Sequence, residues 1–250
     1  MTGEGKYVKL SRNEGNDSMY IIPLLFCLVV NTLTPEALLE KIDNARVPDN
    51  YEVQITIKNH LAEDRDIEYT IKALVKKDKG SYFEFTAPAR EKGRRFLLIE
   101  DNLWMYVPGM SKTIRLSPKD NFMGTDFSNS DMMQSHFGDN YAAQRYEELN
   151  GKYLLYLEAR TPSVPYKRIE IEVNRSDFTP REVRYYTLSG KLFRRMLLDS
   201  IKTFEGEEYP SYMKMENLMI ESSFTEATIV SLKKRQDIPN RYFNPLYLKK

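Results

Sequence analysis

The chain has 250 residues with 37 Lys and Arg against 36 Asp and Glu, and no long like-charge block breaks that balance. This excludes the basic footprint of a nucleic-acid-binding protein, so no nucleic-acid partner is expected. Seventeen Tyr, twelve Phe and only eleven Gly fit a sheet-rich globular chain rather than a disordered one, and a single cysteine, Cys27, excludes an intramolecular disulfide.

Residues 1–18 are polar and mixed in charge, and Met19–Val30, MYIIPLLFCLVV, is then continuously apolar. A bilayer span needs about 20 such residues. This shorter run suits the apolar core of a secretory signal peptide. We therefore expect residues 1–32 to be a leader cleaved near Thr32, with residues 33–250 as one domain. Three other readings stay open: a start at Met19, an uncleaved membrane anchor, and a buried element of the fold. Lipidation of Cys27 is disfavoured by Phe26 before it and by the apolar sequence that continues after it.

Thr34-Pro35-Glu36 signals a helix start, with Thr34 as N-cap and Pro35 in the first turn. Ala37, Leu38, Leu39 and Ile42 give this helix one apolar face up to about Asn44. After Pro48 the period changes to two. Val53, Ile55 and Ile57 alternate with polar residues, as do Ile67, Tyr69, Ile71, Ala73 and Val75, the pattern of a sheet with one wet and one dry face. Tyr82–Ala87 follows, and then a tight meander of Phe96–Ile99, Leu103–Val107 and Lys112–Leu116, turned at Glu100-Asp101-Asn102 and Pro108-Gly109. Ser128, with Asp131 three residues on, can cap a helix over roughly 128–137. Strands resume at 144–149 and 152–160, flanking the hairpin signal Asn150-Gly151, and continue through 168–173, 181–188, 191–204, 212–219 and 224–233. Residues 239–248 suit a short C-terminal helix. We count about eleven strands. A sheet this large must curl, split or close to bury its apolar side, and periodicity does not choose among these.

The motifs of the central stretch carry a family resemblance. Trp104-Met105-Tyr106-Val107-Pro108, then Ile114-Arg115-Leu116-Ser117-Pro118, then Phe122-Met123-Gly124-Thr125-Asp126-Phe127-Ser128 with Asp131, resemble the LolA-like outer membrane lipoprotein-sorting family. The branch resembled is marked by Trp-x-Tyr-x-Pro and Gly-Ser-Asp-Phe, with Thr125 standing where Ser is usual. The closing segment from Ile238 to Leu248 is similar as well, so the likeness covers roughly residues 33–250. It implies a mainly β fold with a few helices: a strongly curved antiparallel sheet, an incomplete β-barrel, covered by the N-terminal helix and a mid-chain helical lid. It also implies an apolar cavity for acyl chains.

Residue types offer little for catalysis, and no enzyme activity or cofactor is expected. His60 and His136 sit in no metal-ligand or base–nucleophile spacing, and there is no Cys/His zinc pattern or Gly-rich phosphate loop. His60 reads as a solvated loop residue at a likely strand end, and Ser135-His136 as a surface pair. Asp126 and Asp131 form a pair of carboxylates, but at a helix start Asp serves the cap and the helix dipole. For ligand contact the candidates are Trp104 and Tyr106 on one strand face, and Met213 and Met215 on another. Met123, Phe127, Met132 and Met133 cluster in the lid segment, where unbranched thioethers adapt to irregular apolar ligands. Ordinary core packing is the alternative for each. Arg115 and Arg168 fall within strands, where an inward arginine would fasten the lid and an outward one would be solvated.

Taken with the resemblance, these features lead us to expect a monomeric periplasmic carrier. It would bind lipoprotein acyl chains or a related lipid, taken from an inner-membrane exporter and given to an outer-membrane acceptor. The alternatives are an envelope-stress sensor domain that detects mislocalised lipoproteins, and a non-enzymatic accessory subunit of an export system. Sequencing the N-terminus of the protein isolated from its own cells should find a chain beginning near Leu33; an intact Met1 in the cytosol would overturn the leader assignment.

Overall fold

The computed structural model describes residues 33–61, 65–133, 136–220 and 222–250. Helix α1 (Pro35–Arg46) starts as its sequence requires: the Thr34 side chain accepts the Ala37 N–H at 3.1 Å and Pro35 occupies the first turn. Its face of Leu38, Leu39 and Ile42 is buried.

The rest of the fold is one antiparallel sheet. Its strands are β1 (Asn50–Leu61), β2 (Arg65–Lys76), β3 (Gly80–Ala87), β4 (Arg95–Ile99), β5 (Asn102–Val107), β6 (Lys112–Leu116), β7 (Tyr141–Leu149), β8 (Lys152–Ala159), β9 (Arg168–Asn174), β10 (Pro180–Tyr186), β11 (Leu192–Phe204), β12 (Glu207–Asn217) and β13 (Phe224–Lys234). They lie in the order β6-β5-β4-β3-β2-β1-β13-β12-β11-β10-β9-β8-β7. The first six strands and the last seven each form a meander, joined where β1 pairs with β13. Strands β6 and β7 are the two ends of that order, so the curved sheet is an unclosed barrel. There are thirteen strands, one for each strand segment read from the sequence, so the count of about eleven fell short by two. Two boundaries also differ: β7 begins at Tyr141, and β12 stops at Asn217, leaving Leu218 and Met219 in a turn. The C-terminal segment folds as two 3-10 turns, Asn240–Phe243 and Pro245–Lys249.

The period-two pattern assigns the faces. Val53, Ile55 and Ile57 on β1, Ile71, Ala73 and Val75 on β2, and Phe83 and Phe85 on β3 point inward into one continuous core with α1. Leu103 and Met105 of β5 share that side. Trp104 and Tyr106 have the opposite parity and lie on the outer face. There they join Tyr82, Leu97 and Leu248 under the C-terminal turns, where Tyr82 and Tyr242 meet at 5.1 Å and Arg95 donates to the Leu248 carbonyl at 3.0 Å. The expectation that Trp104 and Tyr106 line the inner cavity is thereby corrected, since they pack against the tail.

Between β6 and β7 the chain crosses the open mouth. Its helix α2 (Asn129–Met133) is five residues long, shorter than the expected span of 128–137. Ser128 and Asp131 form the anticipated reciprocal cap: the Asp131 N–H donates to Ser128 Oγ at 3.0 Å and the Ser128 N–H to Asp131 Oδ2 at 2.8 Å. By His136 the backbone is extended, and a 3-10 turn spans Phe137–Asp139. A residue of α1 anchors that turn. The buried Asp43 carboxylate accepts the N–H of Phe137 and of Gly138, both at 2.9 Å. A Cβ on residue 138 would stand 3.3 Å from that carboxylate, which favours glycine there. Leaving a buried N–H without an acceptor costs about 1–3 kcal/mol. Asp43→Ala should therefore lower unfolding stability in urea by about 2–4 kcal/mol, and a loss under about 1 kcal/mol would show that the tie is dispensable.

Candidate functional site

The cover spanning residues 121–133 leaves a cleft between itself and the inner face of the sheet. Phe127 and Met132 form its roof, and Val53, Ile55, Phe83, Leu198, Met213 and Ile229 are among its walls and floor. Counting the open solvent at its mouth, it spans about 710 Å³. Only about 70 Å³ of that admits the centre of a water-sized sphere, so side chains must give way before anything long can enter. A second recess of about 450 Å³ adjoins it, sharing Arg46, Asp131 and Met213 and lined further by Ser130, His136, Phe137, Tyr141 and Tyr185.

Three of the sequence candidates, Phe127, Met132 and Met213, thus meet at one cleft. Met133 and Met215 are buried in the core behind it. Met123 packs on the core margin at a backbone φ of 51°, in the 3-10 turn before Phe127. Trp104 and Tyr106 stand apart on the outer face.

The cover is fastened by polar groups that face inward. Small polar residues there suggest a loosely held cover, yet Thr125, Ser128, Asn129 and Ser130 are all buried. The Asp126 N–H donates to Thr225 Oγ1 at 2.9 Å, and the Asp126 carboxylate accepts from Ser223 Oγ at 2.9 Å. Asn59 donates to the Gly124 carbonyl at 3.1 Å, and Ser81 to that of Met133 at 2.6 Å. These sheet residues supply partners for backbone that would otherwise be buried and unsatisfied.

The strongest fastening centres on Arg194 of β11, only 3% exposed. Its Nη1 donates to the Tyr166 hydroxyl at 2.8 Å, and its Nη2 to Asn121 Oδ1 at 2.6 Å. The Tyr166 hydroxyl in turn donates to Asp131 Oδ2 at 2.6 Å, and Arg194 Nη1 lies 3.9 Å from the same oxygen. One carboxylate therefore caps α2 and receives the latch from the sheet. Burial pushes the Asp131 carboxyl above the usual carboxylate range, against the pull of Tyr166, Ser128 and Arg194. Burial, and then the neighbouring Asp131, drives the Tyr166 phenol well up, so it stays a donor.

Arg115 and Arg168 both face outward. Arg115 donates to Asn102, and Arg168 stacks 4.0 Å from the Tyr186 ring and pairs with Glu170 at 3.4 Å. The sequence contained one signal for Arg194. It is in phase with Met196 and Leu198, but Phe193 and Leu197 make the opposite phase equally apolar, so the inward face was ambiguous.

The histidines also sit differently from their expected places. His60 belongs to β1, stacked 4.3 Å from Phe224, with Nε2 2.8 Å from Glu226 and Nδ1 3.2 Å from Asp66. His136 is 6% exposed rather than on the surface, and Ser135 lies outside the described residues. Burial lowers the His136 pKa despite the nearby Asp43 and Asp139 carboxylates. Among the described residues no group of three His, Cys, Asp or Glu is placed to hold a metal ion.

Comparison with solved structures agrees with this architecture. A LolA-superfamily protein from Nitrosomonas europaea is 27% identical, with a TM-score of 0.78 over 86% of this chain and 100% of the other. A putative outer membrane lipoprotein-sorting protein domain from Vibrio parahaemolyticus, 19% identical, aligns with a TM-score of 0.71 over 87% of this chain and 100% of its own. A DUF1329-family protein from Desulfovibrio piger, 21% identical, aligns at 0.75 over 86% and 97%. No curated protein matches the sequence. A protein-family profile described as "uncharacterized protein" matches residues 77–250, more than half of the chain. The chain belongs to the family that this profile defines, and its fold is LolA-like.

Proposed function

We propose that this protein is a non-enzymatic periplasmic carrier that holds a lipoprotein acyl chain or a related lipid in the cleft under residues 121–133. On this reading it collects the lipid from an inner-membrane exporter and delivers it toward an outer-membrane acceptor. The observation that carries the reading is the cleft itself: an apolar space between a curved sheet and a cover that is latched to it rather than continuous with it.

Magnitudes make such a cycle workable. Burying about ten methylenes of an acyl chain gains about 8 kcal/mol. The ties from Asn59, Ser81, Thr225, Ser223, Tyr166 and Arg194 to the cover contribute about 1 kcal/mol each. The two sums are of the same order, so cargo can displace the closed cover without an energy source, and an acceptor with modest extra affinity can take the cargo away. Phe127, Met132 and Met213 are the side chains the acyl chain displaces or replaces.

A reversible crosslink tests this directly. Ser223 Oγ lies 2.9 and 3.0 Å from the two Asp126 carboxylate oxygens, so these contacting side chains are where a disulfide is placed, in an Asp126→Cys/Ser223→Cys chain that also carries Cys27→Ser. Lipid uptake should fall in the oxidised form and recover on reduction. Uptake indifferent to the crosslink would sink the carrier reading in this form.

The latch also predicts a pH signature. A carboxyl whose folded pKa is raised adds stability below its unfolded value of about 3.9 and loses it as pH rises through the folded value. Asp131→Asn removes that titration. The difference in Tm between wild type and variant should therefore shift in favour of the variant as pH rises from about 4 to 7. A difference that stays flat across this window would show that Asp131 does not titrate there.

A further inference from the structure

The turns at the two ends of the sheet differ in kind. At one end lie the connections β3–β4, β5–β6, β8–β9, β10–β11 and β12–β13, where large apolar side chains stand in solvent. Met110 is 58% exposed, Leu188 74%, Met219 49% and Ile220 58%. In the described residues of these turns every exposed charged side chain is basic, Arg90, Lys92, Lys167 and Lys191 among them. The turns at the opposite end, such as 77–79, 100–101 and 205–206, expose mixed charges, and Leu149 is the large apolar side chain most exposed there.

Two groups stand out at the apolar end. The β10–β11 and β12–β13 turns are neighbours, joined by the Leu218 N–H donating to the Phe193 carbonyl at 3.0 Å. Leu188 and Lys191 belong to the first of these turns, and Met219 and Ile220 to the second. The β3–β4 and β5–β6 turns also touch, a Cβ on Gly93 standing 3.5 Å from Pro108. Arg90 and Lys92 belong to the first of these turns, and Met110 to the second.

We propose that this end of the sheet docks on the surface of a phospholipid bilayer carrying anionic lipids, with Met110, Leu188, Met219 and Ile220 inserting at the level of the headgroups. Exposed apolar side chains on separate turn tips make a poor protein interface, which needs a contiguous, closely packed patch. A fluid bilayer accepts separate points, and flanking Lys and Arg keep their charges at the phosphates while their stems lie among apolar groups. In sequence the β1–β2 connection of this same end carries Glu63 and Asp64 and the β12–β13 connection Glu221, which moderates the basic charge, so the apolar tips supply most of the affinity and the cations a preference for anionic lipid. The β12–β13 turn also carries Ser223, which ties the cover through Asp126, but none of Met110, Leu188, Met219 and Ile220 lines the cleft.

The test uses the full chain with Cys27→Ser and single cysteines, carrying an environment-sensitive fluorophore, at Met110, Leu188, Met219 and, as the far-end reference, Leu149. With vesicles of phosphatidylcholine and phosphatidylglycerol, emission should shift to the blue at 110, 188 and 219 and stay unchanged at 149. Pure phosphatidylcholine should give a weaker response. Leu188→Ser/Met219→Ser/Ile220→Ser, all surface changes, should lower vesicle co-sedimentation at least tenfold at unchanged Tm. The proposal is overturned by equal shifts at both ends, by shifts at neither, by undiminished sedimentation of the triple variant, or by shifts that require an added envelope protein instead of vesicles. Because no cargo is present, these outcomes leave the carrier reading untouched.

Discussion

An open antiparallel sheet of thirteen strands exposes more apolar inner face than one twelve-residue helix can cover. Every other feature of the molecule answers that excess. The sheet would close only if β6 paired with β7. Since it does not, the chain between those strands must cross the opening as non-sheet backbone, and backbone laid over a core must find hydrogen-bond partners there. Residues 121–133 solve both problems at once, with Phe122, Phe127 and Met133 facing the core and a set of buried hydroxyl and amide groups on the sheet pairing with the backbone.

That solution gives the cover its character. A cover held by apolar contacts alone would merge with the core, because dispersion is non-directional and gains with every atom packed. Hydrogen bonds are directional and individually modest, so a cover held by several of them has a defined closed position and a bounded cost of opening. The Arg194–Tyr166–Asp131 chain is the most demanding part, since each member is buried and leaving one unpaired is expensive. Asp131 binds the helix start and the latch through the same oxygen, which ties the folding of α2 to the closing of the mouth.

The outer face meets the same excess differently. Where β3, β4 and β5 turn Tyr82, Leu97, Trp104 and Tyr106 away from the core, the C-terminal turns fold back over them with Tyr242, Phe243 and Leu248. The tail thus acts as a strap on the side opposite the cleft, and the tryptophan strand serves two cores at once through its alternation. Leu103 and Met105 belong to one, Trp104 and Tyr106 to the other.

Local chemistry determined most of the elements. Thr34-Pro35 placed the start of α1, alternation from Val53 to Val75 placed the first two strands and their wet and dry sides, and Ser128 with Asp131 fixed a helix cap that forms as the spacing demands. These are contacts within a few residues, for which the sequence is its own environment. The family resemblance, resting on the same motifs, pointed to the curved open sheet. What only tertiary structure decided were choices between equivalent local options. Trp104 looks the same on either face until β4 and the tail show which side it meets. Arg194 sits in a stretch apolar in both phases, so its burial depends on Tyr166 and Asn121, 28 and 73 residues away. The helix from Ser128 does not reach residue 137, because by His136 the backbone is extended and Asp43, more than ninety residues earlier, claims the N–H groups of Phe137 and Gly138. In each case the deciding partner is distant in sequence, and a period or a propensity carries no information about it.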